Sequence, residues 1–213
     1  MRTNSYRALV FLEAVGLAAY IGWYIWQLQE ARPASLIVFP IWLAISFALH
    51  RDTPKTLGWR AVNLLPASLR AAKVFAVFIA GVCAAGLLFE AFHRRPIHLI
   101  EARRFLNYLG FCLVQQIALN SYLTNRLLDV FDSRKVIALL AGIVFAALHW
   151  PNPVLVPLTF IGGTAMSWLF ARARNILPLT IGQAVMGALV WWAFPASWHH
   201  GMRVGPGYYS FYP

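Results

Sequence analysis

Gln115, Gln116 and Asn120 interrupt FCLVQQIALNSYLTNRLL, a run otherwise rich in Leu, Ile, Val and Phe. A side-chain amide donates and accepts hydrogen bonds but takes up no proton near neutral pH, so these residues suit binding or charge stabilisation rather than acid–base work. Gln116 and Asn120 are four apart and share a helix face, which Cys112 extends by one turn. Gln115 points about 100° away, towards Leu119 and Tyr122. Two more polar groups stand in apolar surroundings. His149 closes FAALHW beside a Pro-Asn-Pro break, and its imidazole is the one group of the set that titrates near neutrality. Gln183 is a lone amide within ILPLTIGQAVMGALVWW. An unpaired amide in hydrocarbon costs several kcal/mol, so all five must turn inward and find partners. As plain helix–helix glue, such amides contribute roughly 0.6–2 kcal/mol each.

The elements that carry these residues are membrane helices. Hydrophobic residues make up 60% of the chain and charged ones 12%, with a mean hydropathy of +0.62. A soluble protein averages roughly 45–50% apolar and about 25% charged residues. The apolar residues fall into stretches near the ~20 residues that cross a bilayer. The expected fold is an all-α polytopic transmembrane bundle of about seven spans: 8–28, 34–49, 71–92, 105–128, 136–150, 154–171 and 176–194. The whole chain, 1–213, reads as one domain, with an aromatic tail over 195–213. The second and fifth stretches are short and imply tilting, local thinning or a re-entrant course. The first is longer than a signal core and no small-residue cleavage site follows it, so it reads as an uncleaved span. Residues 57–70, with Trp and Leu between arginines, read as an interfacial segment.

The net charge of +11 is spread over the connections between apolar stretches rather than gathered in one stripe, which argues against nucleic acid as a partner. With the N-terminus inside, twelve basic residues lie on the inner side and six on the outer, which favours a cytoplasmic N-terminus in a bacterial inner (plasma) membrane. Neither Cys83 nor Cys112 implies a disulfide, and His149, His199 and His200 lack a third ligand at any metal-binding spacing. No metal and no cofactor are expected. Glu13 is expected near the interface close to Arg7, Glu90 in a helix-end pair with Arg94, and Asp129 and Asp132 in a solvated turn with Arg126, Arg134 and Lys135. Cys112 and His149 would make a thiol–imidazole pair if their helices met. The tail, SWHHGMRVGPGYYSFYP, is expected either to line the interface or to fold back towards HWPNP. The small residues of TFIGGTAMSW suit close helix packing.

Taken together, the order and spacing resemble the CAAX protease and bacteriocin-processing (CPBP, or ABI) membrane proteins, which include the prenyl-protein endopeptidases. Members carry EExxxR, then FxxxH, then a last helix with His and, four residues on, Asn. Here Gln115, Gln116 and Asn120 stand in the EExxxR positions, Phe145 and His149 fit FxxxH, and Gln183 and Gly187 occupy the last His and Asn. DTPKTLGWR is similar to the family's loop before its third helix. The resemblance implies an intramembrane endopeptidase in which a glutamate activates water with help from histidines. It makes His149, Gln115, Gln116, Asn120 and Gln183 the catalytic-position residues. The glutamates, the arginine and the last histidine are all replaced, and the opposite charges vanish as a set. Three functions remain in view: a protease with unorthodox partners; a non-catalytic member binding a lipid, an isoprenoid, a membrane-tethered peptide or a partner's transmembrane helix; and a small neutral-solute transporter.

Overall fold

The computed structural model describes residues 3–89 and 99–211, with backbone alone over 99–102. The expected pairing of Glu90 with Arg94 lies outside the described residues. Every regular element among the described residues is helical. Helix α1, Asn4–Trp23, is capped by Thr3, whose hydroxyl accepts from the Tyr6 amide at 3.3 Å, and it runs on through a π turn, Tyr24–Leu28. A 3₁₀ turn, Pro33–Ile37, with proline in its first turn, leads into α2, Val38–Leu49. Helix α3 is Leu64–Leu88. Helix α4, Leu99–Gln116, passes without interruption into a π-helical segment, Ile117–Thr124, and then α5, Asn125–Val130.

Helix α6, Arg134–Ala147, starts on the Ser133 cap and stops ahead of Pro151, which cannot continue it. Asn152 then caps α7, Leu155–Ala173, its Oδ1 accepting from the Val154 and Leu155 amides at 3.1 and 3.0 Å. Arg174, in the left-handed region at φ +45°, ends that helix, and Asn175 accepts from the Leu177 amide at 3.2 Å at the start of α8, Leu177–Ala193. Short helices α9, Ala196–His199, and α10, Pro206–Tyr209, complete the tail.

The long helices run alternately between two ends of the bundle. At one end Arg7 meets Asp132 at 3.2 Å, Asn125 donates to the Thr56 carbonyl at 2.9 Å, and Asn175 donates to the Arg60 carbonyl at 2.7 Å. That end therefore gathers the chain start, the loop between α2 and α3, and the α5–α6 and α7–α8 turns. At the other end Asn152 donates to the carbonyls of His199 and Arg203 at 2.8 and 3.0 Å, and the Gly205 amide donates to the Trp150 carbonyl at 2.9 Å. The tail thus folds back onto HWPNP, the second of the two courses considered for it. The expected interfacial segment 57–70 is divided: it is loop to Asn63 and α3 from Leu64.

Two helices, Asn4–Leu28 and Leu64–Leu88, are each 25 residues long with mean hydropathies of 1.7 and 2.2, enough to cross a bilayer by length and composition. Helix α6 has 14 residues and α8 has 17. Apolar side chains cover the outside: Leu9, Leu12, Ile45, Leu49, Val77, Leu87 and Ile143 are all exposed. The middle belongs to the π segment and α5, where residues 119–127 are buried without a break. A helix buried on every side lies at the centre of a bundle. Around it, α6 and α7 come close because Gly142 sits against Phe160 and Thr164, and Gly163 against the Phe145 ring.

Candidate functional site

The central helix carries the amides. Asn120 Nδ2 donates to Gln116 Oε1 at 2.6 Å, the contact that four-residue spacing on one face demands. Gln116 Nε2 donates to Gln183 Oε1 at 2.6 Å and lies 3.0 Å from the Met166 sulfur. Gln183 Nε2 in turn donates to Gln115 Oε1 at 2.5 Å. Further along, the Thr124 hydroxyl reaches Asn120 Oδ1 and Ser167 Oγ, each at 3.1 Å. The result is one continuous chain, Gln115–Gln183–Gln116–Asn120–Thr124–Ser167, binding the central helix to α7 and α8. Gln115 was expected to point away from Gln116, and along its own helix it does; Gln183, reaching across from α8, brings it back into the chain.

The amides are therefore partnered by one another. They line neither of two cavities of about 330 and 380 Å³ that open elsewhere on the molecule. Gly187 explains part of this filling: a Cβ there would collide with the Tyr108 hydroxyl, so the phenol of α4 occupies the space beside Gln183. Cys112 is fully buried, and its thiol bonds Tyr108 rather than the imidazole of His149.

His149 stands apart. Its Nδ1 bonds the Phe145 carbonyl at 2.6 Å, and its ring packs edge-on against Phe145 with centroids 4.7 Å apart. Both contacts are within its own helical turn. The Phe145 carbonyl is one that the end of α6 leaves without an amide partner, and the imidazole fills that role. No hydrogen bond among the described residues joins His149 to the amide chain. Of the five expected site residues, the fold joins Gln115, Gln116, Asn120 and Gln183, and leaves His149 out.

A second polar cluster was not anticipated as a unit. Arg126 is 1% exposed, not part of a solvated turn. Its guanidinium donates to Asp52 Oδ2 at 2.7 Å and to Ser46 Oγ at 2.7 and 3.1 Å, and lies 3.5 Å from Glu13. Glu13 does not pair with Arg7, which goes to Asp132; its carboxylate accepts from Ser46 and lies 2.8 Å from His50 Nε2. The available signal was Ser46 and His50, four residues apart at the end of one apolar stretch, with a lone glutamate in the stretch before it. Nearby, Arg174 donates to Asn125 Oδ1 at 3.0 Å, and burial lowers its guanidinium from the ordinary value.

Residues 102–189 match the family model described as Type II CAAX prenyl endopeptidase Rce1-like. This segment is similar to that family. It contains 115, 116, 120, 145, 149, 183 and 187, so every motif position falls within the match, and the resemblance to the CPBP family is shown over this segment. No curated protein and no solved structure matches the chain. The match over this segment and the apolar helices both support a membrane location.

Gln183 supplies two of the chain's links, whereas Gln115 terminates it. Gln183→Leu leaves a donor on Gln116 and an acceptor on Gln115 short of partners, and is expected to lower unfolding stability by about 1–3 kcal/mol. Gln115→Leu is expected to cost less, and paired denaturation curves in detergent compare the two.

Proposed function

We propose that the protein is a non-catalytic Rce1-like membrane protein that holds an apolar chain drawn from the bilayer. The observation that carries this reading is the continuous amide chain at the motif positions. Peptide hydrolysis needs a group that accepts a proton from water at the moment of attack. Carboxamides at 115 and 116 keep the shape of glutamates and lack their basicity. No described hydrogen bond joins a carboxylate to this chain or to His149; the imidazole is held by the Phe145 carbonyl alone. The amide nitrogens of Gln116, Asn120 and Gln183 already donate within the chain.

The apolar chain has a place to lie. A groove of about 380 Å³ runs between α3 and the α7–α8 side, lined by Val77, Phe78, Gly81, Val82, Leu158 and Phe194. That volume is in the range of small-ligand sites. Its α3 wall belongs to a helix apolar enough to face lipid, so the occupant enters laterally from the membrane, as a lipid or isoprenoid tail. Gly81 opens onto empty space in that wall.

The reading includes seven crossings with the N-terminus in the bacterial cytoplasm. The bundle end that gathers the α2–α3 loop and the α5–α6 and α7–α8 turns carries Arg51, Lys55, Arg60, Arg134, Lys135, Arg172 and Arg174, the sign that retention on the cytoplasmic side favours.

Three measurements test it. Purified native protein is expected to leave a prenylated peptide uncut, including under conditions where a variant carrying Gln115→Glu and Gln116→Glu is assayed; cleavage by the native chain that His149→Ala abolishes would overturn the reading. Native mass spectrometry of the detergent-purified protein is expected to show a bound lipid or isoprenoid whose occupancy falls several-fold in Gly81→Trp, and equal occupancy in both would remove the groove from the account. Single cysteines at positions 56 and 201 are expected to react with a membrane-impermeant maleimide from opposite sides; labelling from the same side would refute an odd number of crossings between them.

A further inference from the structure

We propose that Tyr6, His50 and Glu13 form a reactive site apart from the amide chain, in which the Tyr6 hydroxyl is a nucleophile towards an acyl ester carried by an anionic amphiphile. The three side chains come from α1 and the end of α2, in a region that neither the amide chain nor the groove touches. Their order is that of an oriented acid–base relay. Glu13 Oε2 lies 2.8 Å from His50 Nε2, and the opposite ring nitrogen, Nδ1, lies 3.1 Å from the Tyr6 hydroxyl. A carboxylate that holds one imidazole nitrogen protonated leaves the other free to accept, which is the arrangement that activates a hydroxyl.

The carboxylate is itself fixed. Its other oxygen accepts from Ser46, whose hydroxyl oxygen in turn accepts two bonds from Arg126, and Arg126 is tied to Asp52. Rigid support of this kind keeps a reactive geometry from relaxing. One group competes: the Tyr6 hydroxyl also donates to Asp129 Oδ2 at 3.4 Å, a longer contact than its 3.1 Å to His50 Nδ1.

The site is also open. Tyr6, Glu13 and His50 line a cavity of about 330 Å³ together with Leu9, Val10 and Leu49, and Arg51 stands at its edge. Leu9 and Leu49 are 67% and 74% exposed and continue the cavity onto the lipid-facing surface. An apolar wall leading to one guanidinium and a polarised phenol matches an acyl chain, an anionic headgroup and the ester between them. In the reaction, the Tyr6 oxygen bonds to the acyl carbon and the ester C–O bond breaks. The phenolic proton passes to His50 Nδ1 and on to the departing alkoxide. Water, deprotonated by the same imidazole, then cleaves the tyrosyl ester and restores the phenol, so that the net change is ester hydrolysis.

The experiment uses the full chain in detergent with an aryl sulfonyl fluoride and peptide mapping by mass spectrometry. The Tyr6 oxygen attacks sulfur, the S–F bond breaks, fluoride leaves, and the proton goes to His50. Tyr6 is expected to be modified much faster than the more exposed Tyr209. His50→Gln is expected to slow Tyr6 by about 100-fold, the lower end of what a general base contributes, without changing Tyr209. An acyl phosphatidylglycerol is expected to protect Tyr6 and to release free fatty acid in a manner that Tyr6→Phe abolishes. Tyr6 reacting no faster than Tyr209, indifference to His50→Gln in a variant that elutes as native, or fatty-acid release unchanged by Tyr6→Phe would each overturn the proposal.

Discussion

Hydrocarbon offers no water to hydrogen-bond, so a polar side chain that enters it must find a partner within the protein. The run of buried residues from 119 to 127 shows how far that requirement shapes the bundle. Asn120, Ser121, Thr124, Asn125 and Arg126 all lie in it, and each reaches a different neighbour: α8 through Gln116, the Leu57 carbonyl of the loop after α2, α7 through Ser167, the Thr56 carbonyl, and Ser46 of α2. The apolar contacts around it are permissive, since lipid competes on nearly equal terms with a neighbouring helix. The polar contacts are selective, and they decide which helices surround the centre and at what depth.

That division explains what could be read from residue order alone. The all-helical class and the sites of the helices followed from stretches of apolar residues and their breakers, because helix formation is a local matter. The boundaries were less certain where capping replaced composition. Asn63, Asn152 and Asn175 begin or bridge helices through side-chain bonds to distant backbone, and α3 starts at Leu64 inside what read as an interfacial stretch. The link between Gln116 and Asn120 was visible, being four residues on one helix. The return of Gln115 through Gln183 was not, since it depends on how α8 is rotated against the centre.

The two misplaced groups are instructive in opposite ways. His149 keeps its motif spacing to Phe145, and that spacing is satisfied within a single turn by the carbonyl it bonds, so the same four-residue interval that suggests a site also serves a helix end. Arg126 sits six residues beyond Asn120 in a stretch dense with charges, and charge density suggested water. Its burial depends on three acceptors that arrive from α1, α2 and the following loop, none of them close to it in sequence. The charges missing from the motif positions are thus present in the molecule, in a separate cluster with its own partners.

Tyr108 adds a steric consequence. Its hydroxyl occupies the volume that any side chain at 187 would require, directly beside Gln183. An asparagine at 187 is admitted only once the phenol has shrunk or swung aside. Positions 108 and 187 are thus coupled through space: a side chain at the second is admitted only with a displacement at the first.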